Sequence, residues 1–260
     1  MILRRIADAF RRQDWFTVLV ETLIVVLGVF FGLQVSNWNQ DREDLRISLT
    51  YLDRLETDLR IELTQYGHVQ EYFGKTRAHA IAALDAYARP ADELGVEFLI
   101  DLYQASQQRN FTARRGTYDE LLATGRIDLI SNQSMRSMLN NYYESGGARA
   151  RTIERNTFVE YRRTIRMHMD DSIQRKIREK CGDIYRITEN NTYYLHLPEA
   201  CDIDVPIEAV QYEIEKLLAI EDVQHELRFQ LTSIDSILGS IKNGVATAEV
   251  ALSELEKAKP

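Results

Sequence analysis

Phe16 to Val35 reads FTVLVETLIVVLGVFFGLQV, 20 residues with one ionisable side chain, Glu21. At ~1.5 Å of rise per residue a helix of this length spans the ~30 Å hydrocarbon core of a bilayer, so the stretch reads as a membrane helix. A cleaved signal peptide is the competing reading. Its apolar core is usually ~7–15 residues followed by a small-x-small site, whereas here the run is longer and ends in LQVSNWN. Trp15 and Trp38 flank the run where amphipathic aromatic rings prefer to lie, which sets the membrane segment at 15–38.

Arg4, Arg5, Arg11 and Arg12 precede the run, and Ser36 to Gln40 carry no charge. Basic residues are retained on the cytoplasmic side, so the N-terminus is expected there and residues 39–260 across the membrane. Met1 to Asp14 supports two readings. Ile2, Leu3, Ile6, Ala9 and Phe10 share a face and make 1–14 an amphipathic helix on the inner leaflet; alternatively, the arginines are a plain anchor flank.

A carboxylate within a membrane helix costs ~2.5 kcal/mol or more near the bilayer centre. Glu21 lies only five residues inside the cytoplasmic end, so it can reach the headgroups or be protonated. The helical wheel offers a second reading. At 100° per residue Gly28 falls about 20° to one side of Glu21 and Gly32 about 20° to the other, with Val25 on the same face. Gly28-x-x-x-Gly32 is the spacing that lets two membrane helices approach closely. Glu21, Val25, Gly28 and Gly32 are thus the candidate seam of a homo-oligomer.

The remainder is rich enough in apolar residues, 45% of the whole chain, to build a sizeable core. Four prolines and 12 glycines in 260 residues favour long helices over strands and turns. Four arginines against Asp8, Asp14 and Glu21 give residues 1–35 a charge of +1, which leaves −9 of the net −8 for residues 36–260. Such a balance argues against nucleic acid as a partner.

From Asp41 to about residue 88, Leu45, Leu49, Leu52, Leu59, Leu63, Tyr66, Phe73, Ala80, Leu84 and Tyr87 alternate four and three apart, with interruptions at Glu56, Gln70 and Arg77. The spacing predicts a long helix continuing from the membrane segment and ended by Arg89-Pro90. Leu94 to Gln107 reads as a shorter helix. A helical hairpin is expected over 116–145: Thr117 with Glu120 makes a capping box, Gly125 closes the first helix and Ser131 opens the second. Its Met135, Met138, Leu139, Tyr142 and Tyr143 read as core. Gly146-Gly147 is expected to separate this hairpin from a long helix over 148–180, whose basic face could receive an anionic ligand or an acidic partner but, in a domain of net −9, is expected to pair with the chain's own acidic helices. The 207–259 region reads as helical, and Leu227, Leu231, Ile234, Leu238, Ile241, Val245, Ala248, Leu252 and Leu255 predict coiled-coil or bundle packing, within the chain or between chains.

The interval 181–206 is the non-helical stretch. Cys181 and Cys201 lie 20 residues apart on the outer side and read as a disulfide, stabilising by ~3 kcal/mol in the chain-entropy model. Tyr185–Thr188 with Thr192–Leu197 could pair as a hairpin turning at Asn190-Asn191. His196 is the one histidine in this interval, and two cysteines and a histidine lack a recognisable metal-ligand spacing, so no metal and no cofactor are expected. The fold expected is therefore all-α: one N-terminal membrane helix continuing into an elongated helical bundle with coiled-coil character and one disulfide-pinned loop or hairpin.

LIVVLGVFFGLQVSNWNQDRED (Leu23 to Asp44) and GTYDELLATGRIDLISNQSMRSMLNNYYE (Gly116 to Glu144) together resemble an uncharacterised bacterial family of membrane-anchored proteins. Its members begin with a single membrane helix ending in an Asn-Trp-Asn-like tail and carry a Tyr-x-Glu-Leu…Gly…Leu-Ile…Tyr-Tyr segment. The resemblance implies a bacterial inner-membrane protein with a periplasmic helical domain. It carries over no catalytic residue and no ligand.

No Gly-x-Ser-x-Gly, HExxH, phosphate loop or GxGxxG occurs, and the five histidines are scattered. Asp170-Asp171, adjacent on the expected helix, suit a solvated face. The function expected is non-enzymatic: a self-associating scaffold, or an accessory subunit of a larger membrane complex. The alternatives are a periplasmic ligand-sensing bundle and a channel or proton-linked subunit using Glu21.

Overall fold

The computed structural model describes residues 15–157, 159–188 and 192–258. The expected amphipathic flank 1–14, the turn at Asn190-Asn191 and the side chain of Trp15 lie outside the described residues. The chain divides between Tyr51 and Leu52 into two units. The first helix, α1, Trp15–Ala86, contributes to both.

In the first unit α1 presents a continuous exposed apolar surface that includes Leu23, Val25, Phe30, Phe31 and Val35. Among the described residues one helix is long and apolar enough to cross a membrane. Its most apolar 18-residue window has a mean hydropathy of 2.1, and none of that window is buried.

The second unit is a helical assembly around the remainder of α1. After Pro90 come a 3-10 turn, Ala91–Glu93, and α2, Val96–Gln104, which buries Phe98, Leu99 and Leu102. Beyond them lie α3, Gly116–Ala123; a 3-10 turn, Arg126–Leu129; α4, Gln133–Thr157; α5, Glu160–His168; and α6, Asp171–Cys181. Strands β1, Ile184–Ile187, and β2, Tyr193–His196, pair antiparallel with Tyr185 opposite Leu195 and Ile187 opposite Tyr193. The chain then enters α7, Ile207–Leu218, and α8, Glu221–Lys257. α4 and α5 both pack against α8. α1 runs antiparallel to α8, with ion pairs from Arg60 to Glu256 (2.6 Å) and from Arg77 to Asp235 (2.5 Å).

The seam-facing buried residues include Leu52, Leu55, Leu59, Glu62, Tyr66, Val69, Phe73, Thr76, Ala80 and Ala83 on α1, and Leu227, Gln230, Ile234, Ile237, Ile241, Gly244, Ala248, Ala251 and Leu255 on α8. Every second expected position is thus displaced by one residue: Leu63, Leu84, Leu231, Leu238, Val245 and Leu252 are only half-buried. The physical reason lies in α8. Gly244 leaves room there for the Tyr66 ring, since a Cβ added at Gly244 would sit 2.7 Å from its Cζ.

Local signals are overridden in three places. Thr117 does not cap α3, whose N-cap is Arg115 without a side-chain bond; Thr117 Oγ1 donates instead to Asp58 Oδ2 (2.6 Å), and Glu120 pairs with Arg54 (2.5 Å). Gly125 does close α3, in the left-handed conformation at φ 67° that glycine adopts without strain. Asn132, not Ser131, opens α4 by accepting from Met135 N (3.1 Å). Gly146-Gly147 does not break the chain, because α4 runs through both to Thr157. A mid-helix glycine costs ~1 kcal/mol against alanine, which burial of Tyr142, Tyr143 and Ile153 on the same helix outweighs.

The single helix expected over 148–180 is interrupted at Val159 and at Met169, both extended. Asp170 is therefore a cap and not a helical neighbour of Asp171: its carboxylate accepts from Ser172 N (2.8 Å) at the start of α6. The 207–259 region is likewise two helices, parted at Ala219 and Ile220.

Candidate functional site

The one-residue displacement brings Glu62 into the interior, where it is 1% exposed. Tyr66 Oη donates to its Oε1 (3.1 Å). Burial raises the Glu62 carboxyl above its ordinary value, against the opposing pull of the Tyr66 and Tyr142 hydroxyls and the Arg149 guanidinium. Burial likewise pushes Tyr66 up to about 12 and carries Tyr142 and Tyr143 upward, with the Glu62 charge adding to each. One turn before Glu62, Asp58 accepts from Arg114 Nε (2.9 Å) and Thr117 Oγ1 (2.6 Å).

Aromatic rings wall this polar centre. Tyr66 stacks on Phe111 with centroids 4.9 Å apart, Tyr118 stacks on Tyr143 at 4.3 Å, and Tyr142 meets Tyr143 edge-on at 5.0 Å. Tyr118 Oη donates to Asn140 Oδ1 (3.2 Å). Arg149 Nη1 donates to Ser145 Oγ (3.0 Å), and its guanidinium lies 5.6 Å from the Tyr142 ring. Glu62 Oε2, the Tyr142 and Tyr143 hydroxyls, and Nε and Nη2 of Arg149 are buried without a mutual hydrogen bond. Chemically this centre can hold a proton on the Glu62 carboxyl. Tyr142 and Tyr143 are thus core, as their spacing suggested, and Tyr118 joins them in a core built against a carboxylate, whereas Glu120 pairs with Arg54 at the surface. Sequence reading missed Glu62; the signal was available in Leu55, Val69 and Ala83, which complete an apolar set once the register is displaced.

The other expected residues lie apart from this centre. In the first unit Glu21, Val25, Gly28 and Gly32 are exposed, and among the described residues nothing lies within 4 Å of a Cβ built on either glycine. Trp38 is exposed, with Arg42 4.8 Å above its ring. Cys181 and Cys201 are joined as a disulfide, with Cα atoms 5.2 Å apart. His196 is not alone: its Nδ1 lies 3.1 Å from Glu71, and Glu199 completes a group whose donor atoms fall within 4.8 Å of one another. Lys75 supplies the cation there, 2.6 Å from Glu199 and 3.3 Å from Glu71.

The basic stripe does not pair with acidic helices as expected. Arg163, Arg175 and Arg178 pair within or beside their own helices, with Glu160 and Asp171. Arg162 and Arg166 turn inward to the end of α2 and bond Ser106 through its carbonyl (2.7 Å) and its hydroxyl (2.9 Å).

No curated protein and no solved structure matches the chain. A model described as a family of unknown function (DUF6090) matches residues 21–154, just over half of the chain, from Glu21 through Glu62 to Arg149. The chain belongs to that family.

Proposed function

We propose that the chain is a non-enzymatic, single-pass protein of the bacterial inner membrane whose periplasmic helical domain serves protein–protein interaction. It self-associates, as a scaffold or as an accessory subunit of a membrane complex. The observation that carries this reading is the exposed apolar surface of α1, where Glu21 shares a face with Gly28 and Gly32 and, among the described residues, nothing covers either glycine. A carboxylate at that depth is better accommodated against a second helix than against lipid. The Cys181–Cys201 disulfide supports an oxidising compartment for the second unit. Alternating three- and four-residue steps of burial on α1 and α8 support coiled-coil character, but that seam is filled within the chain, so self-association is assigned to the membrane helix.

A photo-crosslinking residue placed at Val25, activated in native membranes, tests this. The expected product is a homo-oligomeric adduct that is lost when Gly28 and Gly32 are both changed to leucine. Recovery of monomer alone from the otherwise native sequence would overturn the self-association.

A further inference from the structure

The cleft beside the hairpin is a place where charge is held without being neutralised. It encloses about 500 Å³ and is lined by Arg109, Arg162, Asp183, Tyr185 and Tyr193, among others. Among the described residues each guanidinium bonds a neutral carbonyl and neither is in an ion pair: Arg109 Nη1 donates to Leu195 O (3.3 Å) and Arg162 Nη1 to Ser106 O (2.7 Å). Both residues are half-buried. The Asp183 carboxylate at the edge accepts from the Tyr72 hydroxyl (2.9 Å) and feels the charge of both arginines without forming an ion pair with either. Two arginines against one carboxylate leave an excess of positive charge, and this in a domain whose net charge is −9 by the sequence. Taking two cations part-way out of water with only carbonyl partners and one shared carboxylate nearby is costly, so their retention points to an anion that completes them.

The hairpin adds a second recognition element. Tyr185 and Ile187 of β1 and Tyr193 of β2 share one face by their register, and Tyr185 and Tyr193 are 74% and 66% exposed. Rings displayed beside guanidinium groups suit a ligand with both a flat face and a charge. The opposite face is already occupied, Tyr194 stacking on His68 at 3.7 Å.

We propose that this cleft binds a small soluble organic anion, a carboxylate or phosphate borne on a flat ring, with Arg109 and Arg162 taking the charge and Tyr185 and Tyr193 the ring. The volume fits a single small molecule. The assignment does not rest on self-association through α1, and its failure would leave that reading untouched.

The test is titration calorimetry on the full chain in neutral detergent, with the disulfide intact and phenyl phosphate as probe. Phenyl phosphate should bind, inorganic phosphate more weakly, and phenol not detectably. Arg109→Gln with Arg162→Gln should weaken phenyl phosphate by about tenfold or more, while Arg163→Gln, at an exposed pair, should leave it unchanged. Tyr193→Ala should weaken phenyl phosphate but not inorganic phosphate, and a thermal melt of each variant shows that it is folded. Absence of phenyl phosphate binding, or binding indifferent to the double arginine change, would overturn the proposal. So would a response seen only with anionic-lipid vesicles, since that would assign the charge to a headgroup.

Discussion

Glu62 is a carboxylate at an inner position of a helix otherwise lined there by Leu55, Leu59, Tyr66 and Val69. Burial is the larger influence on it and raises its pKa; the Tyr66 and Tyr142 hydroxyls and Arg149 offset this only in part. A carboxyl whose folded pKa is raised favours the native state while protonated. Its contribution is fully present below the unfolded value near ~4.3 and is lost as pH rises through the folded value. Glu62→Gln removes this dependence and keeps an amide oxygen for Tyr66. Urea unfolding of the variant beside the native sequence is expected to favour the variant at pH 7, with the advantage vanishing toward pH 4. A difference that stayed constant between those pH values would show that burial leaves the Glu62 carboxyl unshifted, and one that grew toward pH 4 would show that Arg149 holds it ionised.

At the scale of elements, α1 and α8 set the register and the register sets the core. Leu55 is fully buried, whereas Leu63 is half-buried. Leu55→Ala is expected to cost ~2–5 kcal/mol and Leu63→Ala markedly less, read from denaturant midpoints of the full chain. The reverse order would restore the 4-3 frame that the sequence suggested. That a long helix lies over 41–88 is legible from its periodicity and from the absence of proline before Pro90. Which of two interleaved apolar sets faces inward is not, because the choice depends on how closely α8 approaches at Gly244. The same dependence hid Glu62, which in the frame one residue away reads as a solvated charge. Thr117 and Glu120 fit a capping box in isolation, but Asp58 and Arg54 on α1 claim their side chains. The cap of Asp170 on α6 was legible locally and was obscured by an apolar stripe running across the breaks at Val159 and Met169. The cysteine pair and the hairpin were readable because their constraints are local.

For the whole molecule the question is which compartment the second unit occupies, and the disulfide gives a handle on it. A bridge between Cys181 and Cys201 forms and persists in an oxidising compartment and is kept reduced in the cytosol. The basic residues before Phe16 predict translocation of the polypeptide beyond the apolar run. If that run is the export device, the oxidation state of two residues more than a hundred positions away depends on it. Cells expressing the full chain are expected to yield membrane-bound protein whose cysteines resist a thiol-reactive polymer until a reductant is added. Deleting residues 16–35 is expected to yield a chain absent from the membrane fraction with both cysteines tagged at once. It should also be less stable by ~3 kcal/mol for a loop of this size in the chain-entropy model. Tagging of the full chain without reductant would place the second unit on the cytoplasmic side. Oxidised cysteines in the deleted form would show that the bridge reports something other than export.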